Sequence, residues 1–120
     1  HWHGVGPFDA ETGESLKKSS LSATKVFSDY LLKKAEKNNK IVGVTAAMRS
    51  GTGMKELIEK YPDRFWDVAI AEQHAVTSMS AVAKEGFRPF VAIYSTFLQR
   101  GFDQIIHDTC IDKYPAIFAI

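Results

Sequence analysis

Apolar and polar positions follow no period over residues 1–21, where "GVGPFDAETGESLKKSSLS" is rich in Gly, Ser and Lys and reads as a connection. After Ser22 the rhythm becomes helical. Val26, Phe27, Tyr30, Leu31 and Ala35 recur every three or four residues, so "ATKVFSDYLLKKAEKN" is expected as a helix with one apolar face, capped by Ser22 or Thr24. Apolar runs of strand length then alternate with helical patterns. "KIVGVTA", "RFWDVAI", "RPFVAIYS" and "AIFAI" read as strands. "MKELIEKYP", "EQHAVTSMSAVAKEG" and "TFLQRGFDQIIHDTCI" read as helices, the second closed by Gly86. The loop "RSGTG" joins the first strand to its helix.

Strands that alternate with helices predict the α/β class: a mainly parallel sheet with helices on both faces. Such sheets bind ligands outside the carboxyl ends of their strands. That rule selects "TAAMRSGTGM", "IAEQH" and "YSTFLQR".

Composition narrows the classes without naming one. With 45% hydrophobic residues, 24% charged residues and a formal net charge of +1, the chain suits one core and one domain. Its balance offers no reason to expect nucleic acid or an acidic membrane surface as partner, and no run has transmembrane length. The single cysteine, Cys110, permits no internal disulfide and points to a reducing compartment. The start "HWHGVGPFD" and the apolar end "YPAIFAI", read as a buried strand, suggest a piece of a longer protein.

Glu72 stands where "DVAIA" gives way to "EQHAV". A carboxylate in a first helical turn gains roughly 0.3 to 1 kcal/mol from the helix dipole, which is the ordinary explanation. Flanked by Ala69, Ile70, Ala71, Ala75 and Val76, this one is expected at least half buried. Burying a carboxylate is costly unless it is paired, so at a strand's carboxyl end it is a candidate catalytic acid. The helix after it carries small residues nearly all round; core packing needs only one such face, so a helix buried at a subunit interface is expected.

In "YSTFLQR", Phe97 alone would read as core. Tyr94 and Phe97 with Arg100 close behind look more like a pocket wall, where a ring stacks on a flat heterocycle and an arginine meets an anion. The loop "MRSGTGM", from Met48, reads as a flexible turn, or as a backbone cradle for an anion; it matches neither phosphate-binding glycine fingerprint. The histidines lack metal-ligand spacing, so no metal site is expected. His107 is expected to bond Asp103 one turn earlier, and Cys110 to be buried and inert.

"DVAIAEQHAV" with "VAIYSTFLQRGFDQIIHD" resembles the 1-deoxy-D-xylulose-5-phosphate synthase family of thiamine-diphosphate enzymes. "HGVGPFD", "VTAAMRSGTGM" and "YPDRFWDV" resemble the same family in the same order, so the likeness covers nearly the whole chain. An acid in an "AEQHA" context alone is shared with transketolase. The resemblance implies an incomplete pyrimidine-binding domain: residues 1–21 a linker from a preceding domain, and 22–120 its N-terminal part. It implies a transferase that decarboxylates pyruvate and joins the two-carbon unit to glyceraldehyde 3-phosphate, feeding isoprenoid, thiamine and pyridoxal synthesis.

The same resemblance assigns roles. Glu72 would hydrogen-bond ring nitrogen N1′ of the cofactor and favour its imino tautomer. Phe97 would stack on the pyrimidine, Tyr94 and Arg100 would line the site, Met48 would border the pocket, and His3 would handle substrates. The magnesium and diphosphate site belongs to the preceding domain, so the piece alone should be inactive and hold no Mg2+. A homodimer in the cytoplasm or a plastid is implied. Two other readings stay open: transketolase-type transfer of a two-carbon ketol unit, and a non-catalytic subunit-interaction module.

Overall fold

The computed structural model describes residues 6–16 and 21–120. His1 and His3 lie outside the described residues. Residues 6–16 form an exposed turn: Phe8 and Ser15 make an antiparallel bridge, and the Asp9 carboxylate accepts from the amides of Glu11 and Thr12.

Helix α1 (Ala23–Lys37) begins as expected, with the Ser22 hydroxyl accepting from the Lys25 amide at 3.2 Å. Its inner face differs from the expected one. Val26 and Tyr30 are half exposed, and Ser28 is buried beside Leu31 and Ala35. The reason is a hydrogen bond: the Ser28 hydroxyl donates to the Gly53 carbonyl at 2.8 Å, which turns that face towards the glycine loop.

Strand β1 (Ile41–Thr45), helix α2 (Lys55–Lys60), strand β2 (Phe65–Asp67), helix α3 (Glu72–Lys84) and strand β3 (Arg88–Ala92) follow. Strand β4 (Ile117–Ala119) completes a sheet of order β2-β1-β3-β4, parallel throughout. Alternate residues of β1 divide the core. Val42 and Val44 pack with Ala75, Val76, Met79 and Leu98 on one face, and Ile41 packs with Leu31, Met54, Leu57 and Phe65 on the other. Helices therefore cover both faces, and the α/β expectation holds.

Three elements depart from the pattern. Strand β2 stops at Asp67, because Ala69 takes a left-handed φ of 57° and turns the chain out of the sheet before Glu72. The segment after Tyr94 is not one helix. It runs as α-helix Ser95–Leu98, 3₁₀ turn Gln99–Gly101, α-helix Phe102–Gln104 and π-helix Ile105–Cys110. Gly101 sits so close to α3 that a Cβ there would meet Val76 Cγ2 at 3.1 Å, so the segment must bend around this contact. Strand β4 is not buried either: Ile117 is half exposed, at the edge of the sheet.

The π-turn also corrects two side chains. Cys110 is exposed, because Thr109 takes the inward position and shares a 2.6 Å hydrogen bond with the buried Ser80 hydroxyl. His107 pairs with its neighbour Asp108 at 2.7 Å rather than with Asp103, because the wider π-turn replaces the α-helical spacing.

Candidate functional site

The carboxyl ends of β1, β2 and β3 lie at one edge of the sheet, because all three run parallel. Glu72 opens α3 just beyond β2 and is only 2% exposed. Arg100 Nη1 stands 3.1 Å from Glu72 Oε2, while Arg100 itself is more than half open to solvent. This contact is ionic rather than an aligned hydrogen bond, and buried Oε2 has no hydrogen-bond partner among the described residues. A buried carboxylate oxygen in that condition is an acceptor of high cost, which a donor entering the site would relieve.

Tyr94 and Phe97 follow β3 and stack on each other, with centroids 6.2 Å apart and planes at 16°. Each ring is 45% exposed, so together they offer an aromatic wall rather than core. The Tyr94 ring leans on the loop after β1. A Cβ at Gly51 would lie 2.0 Å from Tyr94 Oη, so only glycine admits the ring in this position. A cavity of about 290 Å³ opens beside it, lined by Thr24, Phe27, Gly51, Ala92 and Tyr94.

Met48 is half buried and packs on the α3 side of the core. The loop it opens is tied down. The Met48 carbonyl accepts from both the amide and the hydroxyl of Thr52, and the Gly51 carbonyl accepts from Thr24. The amides of Thr52, Gly53 and Lys55 donate to loop carbonyls, which favours a structured turn over an anion cradle. Among the described residues no three His, Cys, Asp or Glu side chains gather as a metal site. The structure thus brings Glu72 and Arg100 into contact and stacks Tyr94 on Phe97, while Met48 stands on the neighbouring strand end.

Sequence reasoning missed Asp67. Its side chain is 10% exposed. Oδ1 accepts from the Ala47 amide at 2.7 Å and the Ala69 amide at 3.0 Å, and Oδ2 accepts from Arg49 Nε at 2.7 Å. Burial pushes this carboxyl up, but the Arg49 guanidinium and the two amides outweigh it and hold it below the usual carboxylate range. Ala47 and Ala69 both have positive φ, 59° and 57°, a conformation costing roughly 1–2 kcal/mol for a residue with a Cβ. The available signal was an acidic residue inside the apolar run "RFWDVAI".

Residues 19–120 match the family model for the transketolase pyrimidine-binding domain. Proteins described as 1-deoxy-D-xylulose-5-phosphate synthase are similar over nearly all of the chain. The one from Sulfurimonas denitrificans is 68% identical over 120 residues, 99% of this chain and 20% of that protein. The one from Aliarcobacter butzleri is 66% identical, with the same coverage. The one from Wolinella succinogenes is 67% identical over all of this chain and 20% of its own length. The chain thus spans about a fifth of the curated relatives it matches.

Proposed function

The chain belongs to the transketolase pyrimidine-binding domain family, and from that premise we propose that it is the pyrimidine-binding part of a thiamine-diphosphate synthase. The proposed reaction decarboxylates pyruvate and joins the two-carbon unit to glyceraldehyde 3-phosphate, giving 1-deoxy-D-xylulose 5-phosphate. The relatives that carry this name, at 66–68% identity, support the synthase over ketol transfer. The observation that carries the role of this chain is Glu72: a carboxylate 2% exposed at a strand end, with an oxygen lacking a hydrogen-bond partner among the described residues. The cofactor's aminopyrimidine fits these residues, because it offers a polar ring edge to Glu72 and a flat face to the exposed rings of Tyr94 and Phe97.

When bound, thiamine diphosphate supplies the carbanion chemistry at its thiazolium carbon. Glu72 shares a proton at ring nitrogen N1′, and its burial keeps water from competing for that proton. Phe97 stacks on the pyrimidine. Tyr94 and Arg100 line the site, and Met48 borders it. His3 acts on the substrates. Residues 1–21 connect to a preceding domain that holds magnesium and the diphosphate, and 22–120 form the N-terminal part of the pyrimidine domain. We place the whole protein in the cytoplasm or a plastid as a homodimer.

Glu72→Gln in the full-length protein tests this. The amide keeps the shape but cannot share the proton, so kcat should fall 100-fold or more while thiamine diphosphate still binds. Synthesis within about tenfold of the parent would refute the role of Glu72. Carbon dioxide released from pyruvate in step with product distinguishes the synthase from a ketol transferase.

A further inference from the structure

We propose that Asp67 is a positioning residue that sets Glu72 and the Met48 loop in register for the cofactor's pyrimidine ring; this rests on the reading of Glu72 above. A single oxygen joins the two halves of the site. Asp67 Oδ1 accepts from Ala69 on one side and from Ala47 on the other, at 3.0 and 2.7 Å.

The first path leads to Glu72. The Ala69 carbonyl accepts from the Ala71 amide at 2.9 Å, and the Ala71 carbonyl accepts from the Ala75 amide at 3.0 Å. Ala71 is the residue from which α3 starts, so this chain of bonds fixes where Glu72 enters the helix. The second path leads to the aromatic wall. Ala47 precedes Met48, whose carbonyl is gripped twice by Thr52, and Gly51 between them is the surface against which Tyr94 rests.

Both alanines are held in a conformation that favours glycine. Each pays that cost with its amide bonded to the same carboxylate oxygen. Without the carboxylate, both alanine amides lose the acceptor that holds them in these turns. Arg49 neutralises the other oxygen from outside, at 2.7 Å, so the group stays ionised and acceptor-only. Ala47 and Ala69 are exposed, so their conformation is not dictated by core packing.

The test uses the full-length protein with magnesium present. Thiamine diphosphate affinity is read by calorimetric titration, kcat by product formation, and the thermal midpoint without cofactor. Asp67→Ala should weaken cofactor affinity at least tenfold and lower kcat. Asp67→Asn, whose amide oxygen still accepts from both alanines, should stay within about threefold. Adding Ala47→Gly and Ala69→Gly to Asp67→Ala should recover much of the lost affinity, because glycine takes positive φ unaided.

A lowered midpoint with unchanged affinity in Asp67→Ala would show a merely structural role and overturn the proposal. So would a loss that neither Asn nor the two glycines repair. If Asp67→Ala does not fold, Ala69→Val decides: a β-branched residue at this exposed turn should cost at least tenfold in affinity, and parental affinity would overturn the proposal. Glu72→Gln, assayed in parallel, separates the two ideas. Activity in that variant refutes the Glu72 role, whereas its loss beside a parental Asp67→Ala refutes only the role of Asp67.

Discussion

Glu72 is a buried carboxylate at the start of α3, a placement that costs stability. A residue of that type belongs in water, and here it is 2% exposed, with one oxygen met, among the described residues, only by the guanidinium of Arg100. It lies where the broken helix packs against the start of α3, with Gly101 close to the Glu72 backbone. Gly51 shows the same precision at lower cost. Its missing Cβ makes room for Tyr94 Oη, which would otherwise be 2.0 Å away. Gly51→Ala should therefore push the half-exposed Tyr94 ring aside and break its stack on Phe97. The expected result is a thermal midpoint within a few degrees of the parent, since surface adjustments cost under about 0.5 kcal/mol. Thiamine diphosphate affinity in the full-length protein should drop about tenfold, or roughly 1.4 kcal/mol. Titration and thermal unfolding of the same sample check both.

The seam between α3 and the broken helix holds the candidate site together, since it carries Glu72 on one side and Arg100 on the other. Ser80 and Thr109 join it internally at 2.6 Å. At the surface Thr77 donates to Asp108, which also pairs with His107. The Thr77 hydroxyl and the His107 ring hold the Asp108 carboxyl below its ordinary range, and Asp108 raises the His107 imidazole. The signs differ. The Asp108 contribution is present above the ordinary carboxylate value and is lost as pH falls through its depressed one. The His107 contribution is full below the ordinary imidazole value and is lost as pH rises through its raised one. The pair thus acts together between about pH 4 and 6.5. His107→Ala should lower the thermal midpoint slightly at pH 5.5 and leave it unchanged at pH 9. The effect is small because the His107 ring is largely open to solvent, which screens the pair. Equal shifts at the two pH values would exclude this pairing as the cause.

At the scale of the molecule, one parallel sheet serves two cores. Phe65 anchors the α1–α2 side at 1% exposure, packed with Met54, Leu57 and Leu31. The glycine of β1, Gly43, leaves space for it: a Cβ there would meet Phe65 Cδ1 at 2.9 Å. Phe65→Ala should cost about 3–5 kcal/mol, the sum of lost transfer energy and a cavity that rigid strands cannot close. Phe65 also lies two residues before Asp67 on the short β2, so the loss should reach the site as weaker cofactor binding. Denaturant unfolding and titration measure the two effects. Parental stability would mean that the α1–α2 side does not depend on this ring.

Much of this was legible in one dimension. Alternation of strand and helix patterns determined the α/β class, the parallel sheet and the three strand ends at which the candidate site residues stand, because periodicity dictates which face is buried and parallel strands put their ends together. Ser22 as a cap and Glu72 as a buried acid were readable for the same local reasons. The tertiary structure alone decided the rest. It broke the last helix at Gly101, because α3 lies too close for a side chain. It turned Cys110 outward, because Thr109 finds Ser80. It bound Arg100 to Glu72 across twenty-eight positions of sequence. It also made Asp67 the link between two left-handed alanines, which no pattern announces: a hydrogen bond between distant residues depends on where the backbone goes, and that is settled only when both cores have closed.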